Sequence, residues 1–391
     1  LYTETTYSAA VGLTLTADTF SLLPSYHVPQ GCQIGQVAKW DDGIWICEDE
    51  AGGEESYWTL NGNAGTDPAS HFLGTSDPTS LTLSVDASPA LRIEYTGMTP
   101  NLVGGYAGNT VASGAFGVSI GGGGLSGAAH EVVANFATIG GGISNTVRAE
   151  GGAIGGGGDN VARSPYATIG GGLGNSTGAD LATVGGGHLN SAEGTFATVA
   201  GGESASAAGH AASVGGGSHI TATAQYATIG GGQHNEVKMF AGAIGGGAWN
   251  TTNQSYAAIA GGHGNTVGGE AAAIGGGENN WASGGASVIG GGLGNTASGG
   301  TSTIGGGIEN RATAGSTTIG GGEFISVTHH GATVAGGSHI TVTGDYGAVG
   351  GGRFNTASYH YATIGGGTEN TASNWHTTIA GGLCNIASGD K

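Results

Sequence analysis

The most regular feature of the chain is a hydrophobic position that returns every 15 residues. From Ala137 to Lys391 the sequence divides into 17 units of 15 residues without insertion, and position 3 is Ile or Val in every unit. Position 2 is usually Thr or Ala, and position 1 is usually Ala. Because successive side chains of a strand face opposite sides, this alternation predicts a short strand with position 3 buried. Position 11, mainly Ala or Val between polar neighbours, predicts a second strand.

Position 9 of the unit is Asn in 13 of the 17 repeats. The other four units carry Ala205, Ile220, Ile325 and Ile340 there. Because a β-branched Ile resists a left-handed turn conformation, we expect this position to be extended and to face inward. A buried amide without partners is costly, so we expect the asparagines to stack as a hydrogen-bonded internal ladder. The predicted ladder consists of Asn145, Asn160, Asn175, Asn190, Asn235, Asn250, Asn265, Asn280, Asn295, Asn310, Asn355, Asn370 and Asn385.

Glycine dominates positions 4 to 6 of each unit. Positions 5 and 6 are Gly in all 17 units, and position 4 is Gly or Ala. Glycine permits positive φ and close backbone approach, so this run predicts a tight corner at which neighbouring coils nearly touch. Positions 7 and 8 vary freely, and we expect them to form an exposed edge of each coil.

The unvarying period predicts one unit per coil. The expected fold is all-β, a parallel β-solenoid of about 17–19 coils with 15 residues per coil, preceded by a small β module. Seventeen coils at the strand spacing would form a rod of roughly 80 Å. The predicted domains are an extended segment at 1–30, the β module at 31–100 and the glycine-rich solenoid at 101–391. Each coil supplies few apolar side chains to the core. Either the coil is therefore flat, or chains associate to bury more surface.

The N-terminal region supplies the remaining structural expectations. Strands are predicted at 40–45, 57–60, 81–85 and 91–95. Cys32 and Cys47 are expected to form a local disulfide, which would imply an oxidising compartment, and Cys384 is left over. The acidic run at 48–55 could bind Ca²⁺, but no spaced ligand motif appears, so a solvated loop is expected.

The composition narrows the class of protein. The chain of 391 residues has 88 Gly without a three-residue period, which excludes collagen. Its net charge of −19 argues against nucleic acid or an anionic membrane as partner. No run of about 18 apolar residues exists, so no membrane span is expected. We therefore expect a secreted protein, extracellular or at the cell surface.

The repeat resembles that of a known family. The unit Ala-Thr-Ile-Gly-Gly-Gly-x-x-Asn-Thr-Ala-Ser-Gly, seen at 363–373 and in variants elsewhere, resembles the Hep/Hag head repeats of YadA-type bacterial surface adhesins. It differs in having 15 residues and three consecutive glycines. The resemblance implies a left-handed parallel β-roll, trimerisation and adhesion. The segment 31–47 is more weakly similar to modules preceding such repeats in surface and tail-fibre-like proteins.

The sequence indicates no catalytic chemistry. The glycine runs lack the helix and Lys-Ser/Thr pair of a phosphate loop, and no catalytic triad or carboxylate pair is apparent. No catalytic, cofactor-binding or metal-binding residues are predicted, and a non-enzymatic protein without cofactors is expected.

The leading functional hypothesis is a structural subunit of a surface fibre or filament. The last repeat has no cap, so either the chain is truncated or another chain covers its end. Strand-like residues 1–23 of a neighbouring copy could do so by β-augmentation. One alternative is a trimeric adhesin or phage tail-fibre-like protein that binds a surface carbohydrate or protein receptor. Another is an ice-binding solenoid, although the Thr row at position 2 is broken by Ala243, Ala258, Ala273 and Val288.

Overall fold

The fold is built from β-strands. The computed structural model describes residues 13–16, 19–22, 36–41, 44–49, 64–67 and 69–389. The chain divides into two compact units, Leu1–Gly74 and Thr75–Lys391. Every regular element described in either unit is a strand, and the second unit is a parallel β-solenoid of about 19 turns with about 15 residues per turn. This confirms the predicted fold class.

The strands described in the first unit form two antiparallel hairpins. Strand β1 (Leu13–Thr16) pairs with β2 (Thr19–Leu22), and β3 (Gln36–Asp41) pairs with β4 (Ile44–Asp49). Within the second hairpin, Trp40 lies opposite Trp45. The strand predicted at 57–60 lies outside the described residues.

A three-stranded antiparallel meander begins the second unit. It contains β5 (Leu81–Val85), β6 (Ser88–Glu94) and β7 (Asn101–Gly104). Asp86 and Ala87, between β5 and β6, have φ values of +49° and +57°. Two consecutive positive φ values are typical of the tight turn that suits strand twist in a hairpin. Strand β7 then pairs in parallel with β9 (Ser119–Ile120), so the meander extends one solenoid sheet.

Each coil contributes one two-residue strand to each of two parallel sheets. Positions 2 and 3 form the first sheet, and positions 10 and 11 form the second, as predicted. The first sheet contains β9 (Ser119–Ile120), β11 (Thr138–Ile139), β13 (Ala153–Ile154), β15 (Thr168–Ile169), β17 (Thr183–Val184), β19 (Thr198–Val199), β21 (Ser213–Val214), β23 (Thr228–Ile229), β25 (Ala243–Ile244), β27 (Ala258–Ile259), β29 (Ala273–Ile274), β31 (Val288–Ile289), β33 (Thr303–Ile304), β35 (Thr318–Ile319), β37 (Thr333–Val334), β39 (Ala348–Val349), β41 (Thr363–Ile364) and β43 (Thr378–Ile379). The second contains β8 (Thr110–Val111), β10 (Glu131–Val132), β12 (Thr146–Val147), β14 (Val161–Ala162), β16 (Ser176–Thr177), β18 (Ser191–Ala192), β20 (Ser206–Ala207), β22 (Thr221–Ala222), β24 (Glu236–Val237), β26 (Thr251–Thr252), β28 (Thr266–Val267), β30 (Trp281–Ala282), β32 (Thr296–Ala297), β34 (Arg311–Ala312), β36 (Ser326–Val327), β38 (Thr341–Val342), β40 (Thr356–Ala357), β42 (Thr371–Ala372) and β44 (Ile386–Ala387).

A third parallel contact, which the sequence did not predict, runs through position 7. Single-residue bridges join this position between successive coils, from Ile143–Gly158 to Thr368–Leu383. Its side chains point outward, as the exposure of Ile143 (40%) and Leu173 (48%) illustrates. The expected exposed edge is therefore also a hydrogen-bonded face.

The core is one continuous column of small apolar side chains. It runs from Val103 to Ile379, and every position-3 side chain within it is at most 7% exposed. Burying one Val or Ile contributes about 1.5–3 kcal/mol. Because a coil supplies only a few such residues, stability depends on repetition and on inter-coil hydrogen bonds.

Candidate functional site: the internal ladder and the exposed corners

The asparagines of position 9 lie inside the solenoid and bond between coils. Asn160 donates from Nδ2 to the carbonyl oxygens of Gly156 and Gly172, each at 3.0 Å. Its Oδ1 accepts the backbone N–H of Asn175 at 3.0 Å. One side chain thus binds its own coil and the next coil. Of the 13 predicted ladder residues, 12 are at most 1% exposed, whereas Asn385 in the last coil is exposed.

The amide-to-amide contact expected from the sequence occurs at only some steps. Nδ2 of Asn160 lies 3.1 Å from Oδ1 of Asn145, and the Asn385–Asn370 pair is at 2.9 Å. At most steps the main donor to Oδ1 is the next backbone N–H. That pattern explains why Ala205 and Ile325 fit the column, because their N–H groups donate to Asn190 and Asn310 at 2.9 and 3.1 Å.

Two ladder residues precede the regular repeat. Asn109 Oδ1 accepts the N–H of His130 at 3.0 Å, and Nδ1 of His130 accepts the N–H of Asn145 at 3.2 Å. Sequence reasoning missed both, because His130 follows Asn109 by 21 residues, which breaks the 15-residue period. Counting back one 15-residue period from Asn145 would have placed His130 in the column.

His130 is the buried ionisable group of this column. Its side chain is 0% exposed, and Nε2 has no hydrogen-bond partner among the described residues. Burial lowers the pKa of His130 below its ordinary value of 6.5, and nearby backbone groups of Gly142, Asn145 and Gly122 oppose this only in part. The ring is therefore neutral at neutral pH, with its proton on the buried Nε2.

Positions 5 and 6 of the glycine corner differ in how closely the next coil packs against them. At position 6, Gly247 has φ +85°, and an added Cβ would lie against the carbonyl oxygen of Gly262 and 2.8 Å from Asn250 Nδ2. At position 5, a Cβ on Gly246 would meet nothing within 4 Å. The predicted close approach therefore holds at position 6 and is wrong at position 5.

Positions 8 and 15 hold large side chains on left-handed backbone. Trp249 at position 8 and Tyr256 at position 15 have φ values of +60° and +59°. Such a conformation costs about 1–2 kcal/mol for a residue with a Cβ. Their exposures of 55% and 56% place these rings on two corners of the rod.

Aromatic rings stack along both corners from coil to coil. At position 8, the ring centroids of His219 and His234 lie 4.9 Å apart, and those of His234 and Trp249 lie 4.0 Å apart. At positions 14 and 15, five consecutive coils form an edge-to-face row with centroid separations of 5.5–5.7 Å. This row consists of Phe196, His210, Tyr226, Phe240 and Tyr256.

A second aromatic group, here named the C-terminal aromatic cluster, lies at positions 13–15 of later coils. The rings of Tyr346 and Tyr361 stack with their centroids 5.3 Å apart, and the ring centroids of Trp375 and Tyr359 lie 5.7 Å apart. Nδ1 of His360, in the same cluster, lies 3.2 Å from Oδ2 of Asp345. The cluster's tyrosines and tryptophan are 41–50% exposed.

The described residues offer no obvious metal centre. They contain no group of three or more His, Cys, Asp or Glu side chains that could hold a metal ion. Most of the acidic run at 48–55 lies outside the described residues. Within the part of the chain that the structure describes, no helix is long and apolar enough to cross a bilayer.

The cysteines differ in state. Cys47 is disulfide-bonded, whereas the predicted partner, Cys32, lies outside the described residues, so the pairing stays a prediction. Cys384 is free and exposed. A hydrogen bond of its thiol to Oε2 of Glu369, at 3.3 Å, raises the pKa of Cys384, which keeps the sulfur in its less reactive thiol form.

Comparisons with known proteins add no family assignment. No protein-family model matches the chain, and no curated protein matches it.

Proposed function

We propose that this protein is a non-enzymatic structural subunit of an extracellular surface fibre. The observation that carries the proposal is the unbroken solenoid, in which every coil repeats the same strand register and most coils repeat the asparagine bonds. Repetition of one unit along one axis is suited to a rod of defined length and high stability.

The disulfide of Cys47 supports the extracellular assignment. Disulfides persist mainly in oxidising compartments, such as the cell exterior or the periplasm. The high net negative charge keeps such a protein soluble and does not favour binding to polyanions.

The outer face of the β5–β7 meander supports self-association. Ile93 lies opposite Leu102, and both point outward with exposures of 37% and 40%. Leu83 and Val85 on β5 are 42% and 71% exposed. Contiguous apolar side chains on a sheet face are typical of an interaction surface, so we take a second copy of the chain as the partner.

Receptor binding is the second candidate function. The C-terminal aromatic cluster favours it, because exposed Tyr and Trp are the residues most enriched in binding surfaces. The resemblance of the repeat to YadA-type head repeats also supports an adhesin, trimeric or of the tail-fibre kind.

Negative-stain electron microscopy and sedimentation of the purified full chain test the structural role. We expect straight rods that associate as concentration rises. A species that stays monomeric at every concentration would sink the proposed self-association, and a compact, non-rod-like particle would sink the fibre role itself.

A further inference from the structure

A shallow depression of about 480 Å³ lies on the second solenoid sheet, near the middle of the rod. Its lining comes from three successive coils, which contribute strands β26, β28 and β30 or the turns beside them. The lining contains no charged side chain and consists of Asn253, Gly264, Thr266, Asn279, Asn280 and Trp281.

Trp281 forms one wall of this depression and departs from its column. It stands at position 10, where the paired residues of the adjacent coils are Thr266 and Thr296. The indole is 51% exposed, and its Nε1 would lie 3.5 Å from a Cβ added to Gly268 in the preceding coil. The ring therefore extends across the sheet over a glycine, and this presents apolar surface where neighbouring coils present hydroxyl groups.

Polar groups without protein partners surround this indole. In the part of the chain that the structure describes, no hydrogen bond engages the amide of Asn253, the hydroxyl of Thr266 or the Nε1–H of Trp281. In some other coils a side chain at the position of Asn253 bonds the next coil, as Thr223 does to the carbonyl oxygen of Val237 at 3.1 Å. Donors and acceptors thus converge on one uncharged surface.

Asn279 and Gly264 complete the opposite side. Because Gly264 has no side chain, Oδ1 of Asn279 lies in the space that a Cβ of Gly264 would occupy. Nδ2 of Asn279 makes only a long contact of 3.5 Å with Glu278. In the coil before Gly264, Trp249 presents a second half-exposed indole at the same position.

We propose that this depression binds a neutral saccharide. A sugar ring has an apolar C–H face that packs on an indole, and hydroxyl groups at its edge that both donate and accept hydrogen bonds. Amide and hydroxyl side chains likewise do both, which matches Asn253, Thr266 and Asn279. The uncharged lining, on a chain of net charge −19, disfavours anionic glycans. The site goes beyond the structural role and does not depend on it.

The test uses the purified full chain against immobilised oligomers of glucose, mannose and N-acetylglucosamine, with sulfated and sialylated oligosaccharides alongside. We expect a neutral oligomer to bind, and calorimetric titration with that oligomer in solution measures its affinity. Trp281→Thr should weaken that binding by about tenfold or more, since an aromatic anchor carries much of such an affinity. Thr occupies the paired position in both adjacent coils, so the variant is expected to fold. An unchanged melting temperature verifies this.

Trp375→Ala is the matched control, because it removes another exposed indole far along the chain from the depression. Its affinity for the neutral oligomer should equal that of the unchanged protein. The proposal is overturned if no neutral oligomer binds, if only acidic ones bind, or if Trp281→Thr binds as well as the unchanged chain. Loss of binding in Trp375→Ala alone would also overturn it, by locating the saccharide on the C-terminal aromatic cluster.

Discussion

Asn295 uses its backbone and its side chain to reach one atom of Asn280. Its N–H donates to Oδ1 of Asn280 at 3.0 Å, and its Nδ2 lies 3.1 Å from the same oxygen. Nδ2 also donates to the carbonyl oxygens of Gly291 and Gly307. The side chain therefore joins three consecutive coils, and its removal should destabilise all three locally.

Asn295→Ala is expected to destabilise the solenoid by about 2 kcal/mol or more, because it leaves buried polar groups unpaired. The N–H of Asn310, which donates to Oδ1 of Asn295 at 3.0 Å, should exchange with solvent faster. Amide hydrogen exchange and urea denaturation measure these effects.

Asn295→Ile is the matched comparison for that variant. Ile occupies the same column at 220, 325 and 340, where it is fully buried. It should lose the same bonds without leaving a cavity, and so be less destabilised than Asn295→Ala. Equal exchange at Asn310 in the unchanged protein and both variants would show that the ladder bonds contribute nothing.

Two adjacent glycines should respond oppositely to the same substitution. Gly247→Ala places a Cβ on left-handed backbone against Gly262, so it should destabilise by about 1–2 kcal/mol or more. Gly246→Ala meets open space and should change stability by less than about 0.5 kcal/mol. Thermal melts of the two proteins, which serve as each other's control, provide the measurement. If both variants melt alike, the distinction between positions 5 and 6 is wrong.

The sequence was sufficient for the period, the inward columns and the two strands of each coil, because a one-dimensional repeat places equivalent residues in register. The left-handed backbone at positions 8 and 15 was not predicted, since residues such as Trp249 and Tyr256 resist that conformation in isolation. Glycine at 174, 264 and 294, all position 8, was the available signal. The unbonded polar groups around Trp281 could not be predicted from the sequence. Whether a side chain there forms a hydrogen bond depends on its contacts with the neighbouring coils.

Acid should weaken the N-terminal coils through His130. Burial lowers its pKa in the folded chain, so the unfolded chain takes up the proton at higher pH. Its stabilising contribution is complete above the unfolded value of 6.5 and is lost as pH falls through 6.5 and then the lower folded pKa. His130→Asn, which places the usual ladder residue there, should reduce the loss of stability between pH 7 and pH 5.

Urea denaturation at several pH values measures this effect. The unchanged protein, measured at the same pH values, is the reference for this variant. An unaltered pH dependence in His130→Asn would contradict a titrating role for the buried ring.

The apolar face of the β5–β7 meander provides the last prediction. Ile93→Thr combined with Leu102→Thr keeps residues suited to strands but removes two exposed apolar side chains that lie opposite each other. We expect weaker self-association in sedimentation equilibrium with unchanged circular dichroism. Val288→Thr is the control, because Val288 is 41% exposed but stands alone between Ala273 and Thr303 on the same sheet face. If the double variant associates as strongly as this control, the contact between copies must lie on another surface, since isolated apolar residues are common on monomers whereas a contiguous patch is not.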